Sequence, residues 1–112
     1  MISLINYYLM KKRIAKIKLP NFKKEANIRV AITFIGKVKR VAFRNEVLLL
    51  AQRLGLVGFI ENKKVGVVVE AEGYPSKINY LIAHLKTIPR FIIATIIIKK
   101  LNLKGEKTFH KK

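Results

Sequence analysis

The stretch NIRVAITFIGKVKRVAFRNEVLLLAQRLG, Asn27–Gly55, contains the change of period on which the fold turns. Ile28, Val30, Ile32 and Phe34 alternate with Arg29, Ala31 and Thr33, the two-residue period of a strand. Gly36 ends that run. Phe43, Val47, Leu50, Ala51 and Leu54 then recur at helical spacing, and Gly55 stands where a left-handed cap stops a helix. Between strand and helix lies a basic connection, GKVKRVAFR, with no acid before Glu46.

Outward from this unit the pattern continues. Leu56–Asn62 reads as a second strand, Lys63–Gly66 as a turn, and Val67–Glu72 as a third strand paired with the second in a hairpin. Pro75 suits the first turn of a helix, and Ile78, Leu81, Ile82 and Leu85 follow at helical spacing until Pro89. Phe91–Lys100, dense in β-branched residues, reads as a fourth strand. The order β-α-β-β-α-β predicts an α+β fold, a ferredoxin-like sandwich with two helices on one face of a four-stranded antiparallel sheet. Residues 28–101 form this domain, 1–27 an apolar and then basic extension, and 102–112 a basic tail.

The fourth strand is apolar on both alternating sets, Phe91, Ile93 and Ile97 against Ile92, Ile96 and Ile98. A sheet with one free face normally shows polar residues there. Two covers are expected equally: the apolar residues Ile2, Leu4, Ile5, Tyr7, Tyr8 and Leu9 of the extension, or a homodimer through the open sheet face.

Composition narrows the function. The 112 residues carry 24 Lys plus Arg against 6 acids, a net charge of +18, which draws phosphates, nucleic acid or acidic membrane surfaces. At 51% apolar the chain builds a core rather than a disordered polyelectrolyte. All the acids are Glu, there is no Cys, and His84 and His110 lie far apart, so neither a metal site, a thiolate nucleophile nor a Ser-His-Asp triad is expected. The apolar start, MISLINYYLM, precedes its positive charges, the reverse of a secretory signal, and is too short to span a bilayer. A cytoplasmic protein with no transmembrane segment is expected.

The basic connection reaches the N-terminus of a helix, where backbone amides are unpaired and the macrodipole adds partial positive charge. A loop folded round that end can offer several N–H groups to one phosphate, and Arg44 in the first turn can add a bidentate grip. The alternative is a Lys-rich surface loop whose charges are solvated.

At these residues the sequence resembles the acylphosphatases. Gly36, Val38, Val41, Phe43 and Arg44 fall in the register of the family's G-x-V-Q-G-V-x-F-R, and Gly55, Leu56, Gly58, Phe59 and Asn62 in that of L-G-[LV]-x-G-[WY]-V-x-N. Glu72 and Gly73 align with the family's strand ending in E-G, and the similarity runs from about Ile28 to Leu101. The resemblance implies the sandwich fold and hydrolysis of acyl phosphates to a carboxylate and inorganic phosphate, without metal or cofactor. It implies that Arg44 holds the phosphoryl group and that Asn62 orients the attacking water. It further implies that Lys37, Val38, Lys39, Arg40, Val41 and Ala42 form the phosphate-binding loop, open also to inorganic phosphate or sulfate.

The sequence departs from the pattern in the loop, and after Asn62, where the family's usual D-G turn reads KKVG with one residue fewer before Glu72. Lys39 replaces the motif's Gln, and Arg40 and Ala42 stand where the family has Gly. Arg40 in a left-handed backbone conformation strains the loop by about 1 kcal/mol or more, or else adds a positive charge to it. The competing function is a catalytically impaired acylphosphatase-like module that binds nucleic acid or another polyanion nonspecifically. The third strand, GVVVEAEG, lacks the aromatics that stack bases in RNA-recognition sheets, so such binding would be electrostatic. A third reading places YYLMKKRIAKIK of the extension on an acidic membrane surface.

Overall fold

The computed structural model describes residues 4–112. Helix α1 spans Leu4–Ala15, strand β1 Ile28–Lys37, α2 Phe43–Arg53, β2 Val57–Asn62, β3 Val67–Gly73, α3 Pro75–Lys86, β4 Ile92–Leu101 and β5 Phe109–Lys111. The strands lie in the order β4-β1-β3-β2-β5. The expected unit of Asn27–Gly55 and the hairpin after it are all present.

One face of the sheet carries the core. Val30, Ile32 and Phe34 of β1 are buried with Val69 and Ala71 of β3 and Ile60 of β2. They form one cluster with Phe43, Val47 and Leu50 of α2 and Ile78, Leu81 and Leu85 of α3. The periods read from the sequence place these residues, since strand period two and helix period 3.6 each leave one apolar face. A relay of rings, Phe34 to Phe43 at 5.1 Å and Phe43 to Phe91 at 5.0 Å, ties β1 to the start of α2 and to the approach of β4.

The sheet has five strands and is mixed, which corrects the four-stranded antiparallel expectation: β5 pairs parallel to β2, Gly58 opposite Phe109. Three residues are too few to display a period, so the strand has no signature in the sequence. Its anchor is Phe109, 3% exposed, against the core. The strand's backbone is bonded at both ends, Gly58 N–H to the Thr108 carbonyl at 2.9 Å and Lys112 N–H to the Ile60 carbonyl at 2.8 Å.

A bulge interrupts the doubly apolar fourth strand. Ile35 pairs with Thr95 but Gly36 pairs with Ile93, leaving Ala94 as the extra residue. The side-chain alternation therefore slips by one, and Ile93 and Ile96 both pack against the core. Gly36, at φ 146°, is required there, because a Cβ would lie 2.1 Å from the Ile92 carbonyl oxygen.

The opposite face centres on Arg29, which is fully buried. Its guanidinium meets Glu70 at 3.0 Å, Glu72 at 3.2 Å and Glu106 at 2.5 Å. The segment after β4 folds over this cluster, and the backbone N–H groups of Lys104 and Gly105 donate to Glu72 at 2.8 and 3.1 Å. Those amide donors, opposed by burial and aided by Arg29, hold the Glu72 carboxyl below its usual value of 4.5.

The extension does not cover this face. Met10 and Ile14 of α1, four apart, are buried in the core cluster against α2, and Arg13 of α1 is ion-paired to Glu46 of α2. The apolar pair and the buried charge fix α1 on the helical side. Ile2 lies outside the described residues. Ile92, Ile97 and Ile98 of the edge strand are each more than half exposed.

Phe109→Ala is expected to cost about 3 kcal/mol in urea unfolding, the ordinary loss for a buried Phe. Acid should destabilise the fold. A glutamate held below 4.5 adds stability above pH 4.5 and loses it as the pH falls through its folded value. Urea midpoints between pH 6 and 3 should therefore drop in the wild type and drop less in Glu72→Gln.

Candidate active site

The connection from β1 to α2 forms a compact loop with two non-glycine residues in the left-handed region, Arg40 at φ 61° and Ala42 at φ 64°. Arg40 stands where the motif has Gly. Ala42 immediately precedes α2 and offers no side-chain cap, so the first amides of the helix have no capping partner from it. The loop is anchored below by Val38, 1% exposed.

Beside it lies a cleft of about 790 Å³, walled by Val38, Lys39, Arg40 and Ala42 of the loop, Phe43, Arg44 and Asn45 of the first turn of α2, Asn62 at the end of β2, and Lys111 of β5. Arg44 and Asn62, distant in sequence, thus face one space. Four cationic residues line it and no carboxylate does. Lys39 extends across to the β2–β3 hairpin, where its ammonium donates to the Lys63 carbonyl. Among the described residues no cluster of three His or Glu side chains is placed to hold a metal ion.

Two of the expected loop residues lie elsewhere. Lys37 is still paired in β1, opposite Ile92, and does not line the cleft. Val41 turns to the other side of the loop, lining a second cleft of about 610 Å³ between the loop and α1. Its carbonyl accepts a hydrogen bond from Arg90 Nε at 3.0 Å. In a trans peptide the C=O and the following N–H point in opposite directions. Arg90 therefore turns the Ala42 N–H away from itself, toward the side of the loop that it does not line. This contact sits between the two left-handed residues.

Arg90 is itself supported. Its guanidinium lies 4.9 Å over the Phe91 ring, and Nη2 is 4.0 Å from Glu46 Oε1. Glu46 is fully buried, with His84 Nε2 at 2.7 Å and Arg13 Nη2 at 2.5 Å. Burial pushes its carboxyl up, but the hydrogen bonds from His84 and Arg13 outweigh that and hold it below 4.5. Glu46 carried a readable signal: three residues after Phe43 and four before Leu50, it is an acid on the apolar face of the helix. Lys111 carried none, since only the β5 pairing brings its ammonium to Asn45 Oδ1, at 2.9 Å.

The family model described as Acylphosphatase matches residues 30–111. The chain belongs to the acylphosphatase family. Its fold is that of the acylphosphatase from Bacillus subtilis, with a TM-score of 0.70 at 24% identity over 76% of this chain and 98% of that one. The acylphosphatase from Coxiella burnetii gives 0.71 at 24% identity, over 77% of this chain and 93% of that one. A full-length HypF in a phosphate- and nucleotide-bound form gives 0.74 at 26% identity, covering 82% of this chain, which spans only 12% of that protein. The acylphosphatase fold thus occurs both as nearly a whole chain and as a small part of a larger one, and in this protein α1, which precedes the residues the family model matches, packs against α2.

Two outcomes follow from the loop geometry. Arg40→Gly should raise stability by about 1 kcal/mol in urea unfolding, because Gly takes a left-handed φ without strain. Arg90→Ala should raise the inhibition constant of inorganic phosphate, while a Lys at the same position restores it in part by offering Val41 a donor.

Proposed function

We propose that the cleft hydrolyses acyl phosphates without a metal ion, yielding a carboxylate and inorganic phosphate. The observation that carries this reading is the convergence of Arg44, Asn62 and the loop on one cationic cleft free of carboxylates, in a chain of the acylphosphatase family. Loop amides and the Arg44 guanidinium would hold the phosphoryl oxygens, with Arg40 and Lys111 adding positive potential. The Asn62 amide carbonyl would accept a hydrogen bond from water and aim its oxygen at phosphorus.

The water oxygen then bonds to phosphorus as the bond to the acyl oxygen breaks. The carboxylate departs with the bonding electrons, and the water's protons pass to phosphate and solvent. A carboxylate is a good leaving group, so no strong general acid is needed. Orientation of the water and stabilisation of charge on the phosphoryl oxygens supply the acceleration.

Hydrolysis of benzoyl phosphate should survive EDTA and be inhibited competitively by phosphate or sulfate. Arg44→Ala should lower kcat/KM by about a hundredfold or more, in the range for removing one donor to developing charge, and weaken phosphate inhibition. Asn62→Ala should lower kcat comparably and leave the phosphate inhibition constant nearly unchanged. Loss of activity in EDTA with recovery on a divalent metal would refute the mechanism.

A further inference from the structure

The outer face of α1 is an apolar stripe joined to a basic one. Leu4 is 88% exposed, Ile5 72%, Tyr8 58% and Leu9 56%. Helical geometry gathers these positions on one side of the first turns, away from Met10 and Ile14, which pack on α2. Lys11, Lys12 and Lys16 continue the same outward side and are exposed. The Lys12 ammonium lies 5.4 Å over the Tyr8 ring. The helix itself contains no acid, and Glu46, which Arg13 grips, is buried beneath it.

We propose that α1 is an interfacial helix that docks the protein on an anionic bilayer surface. Large apolar side chains left in water on a short, acid-free helix are costly there, and a bilayer interface removes them from water. The lysines at the C-terminal end would lie at the level of anionic headgroups, where each adds attraction that decays within a Debye length. The net charge of +18 supplies the same sign at long range. Nucleic acid would satisfy the lysines but gives Leu4 and Ile5 nothing to enter. No described helix is long and apolar enough to cross a membrane, so the association is peripheral. Leu9 also lines the second cleft beside Arg40 and Val41. Docking through it sets the phosphate loop at the bilayer surface.

Flotation of the full chain with vesicles tests this. It should bind vesicles of equal phosphatidylglycerol and phosphatidylcholine, weaken as salt rises, and bind phosphatidylcholine alone far less. Leu4→Ser with Ile5→Ser leaves the charge unchanged and should weaken binding by about tenfold or more. Lys11→Gln, Lys12→Gln and Lys16→Gln should each cost about fivefold. The chain has no Trp, so the emission of a Tyr8→Trp variant reports one site and should shift to the blue on binding. The thermal midpoint of each variant checks that the domain stays folded. Failure of the wild type to bind the anionic vesicles overturns the proposal. So does equal binding by the Leu4→Ser, Ile5→Ser variant, which would leave bulk charge as the cause. Tight binding of duplex RNA that falls with the same serine variant would assign this face to nucleic acid instead.

Discussion

One buried carboxylate organises the end of the molecule that carries the candidate site. Glu46 sits on the core side of α2, one turn into the helix, and receives Arg13 from α1, His84 from α3 and, at longer range, Arg90 from the approach to β4. A buried charge is tolerated only when its partners are in place, and losing one partner leaves an expensive uncompensated ion. Arg13 and His84 are therefore held in place by Glu46 as it is by them. Arg90 also donates from Nε to the loop, through the Val41 carbonyl. Arg90, which supports the β1–α2 loop, thus lies beside the same ion that fixes the extension to the domain.

That arrangement explains how the loop keeps an unfavourable shape. Arg40 and Ala42 both occupy a backbone region that L residues rarely adopt. Such strain persists where surrounding contacts over-determine it. Here they do so from both sides. Arg90 holds the carbonyl between the two residues, Lys39 ties the loop to the Lys63 carbonyl across the cleft, and Val38 is buried below. The two left-handed residues are held in place by contacts with the hairpin and the α3–β4 connection.

The far face of the sheet repeats the principle with the sign reversed. Arg29 is the buried cation, and Glu70, Glu72 and Glu106 surround it. Glu106 and the amides of Lys104 and Gly105 come from the segment after β4. That segment would otherwise read only as basic and polar. Its path across Arg29 delivers Phe109 to the core and Lys111 to the cleft, so the C-terminal residues complete both the sheet and the site.

The sequence by itself determined the β-α-β-β-α-β order of the domain, the core face and the place of the loop, but neither α1 nor β5. Alternation in Ile28–Phe34 and helical spacing in Phe43–Leu54 are properties of neighbouring residues, and the backbone converts them directly into strand and helix. The register of Phe43, Arg44 and Asn62 likewise named residues that line one cleft. The left-handed turn at Arg40 was legible because a bulky residue stood where the pattern has Gly. Only the tertiary structure decided the rest. The Ala94 bulge depends on how two strands fit. The side of the domain that α1 covers depends on Glu46, whose partner Arg13 lies 33 residues away. Arg90 reaches Val41 across 49 residues, and Lys111 reaches Asn45 across 66. Periodicity records which way a residue faces along its own element. It holds no information about which distant side chain packing will bring there.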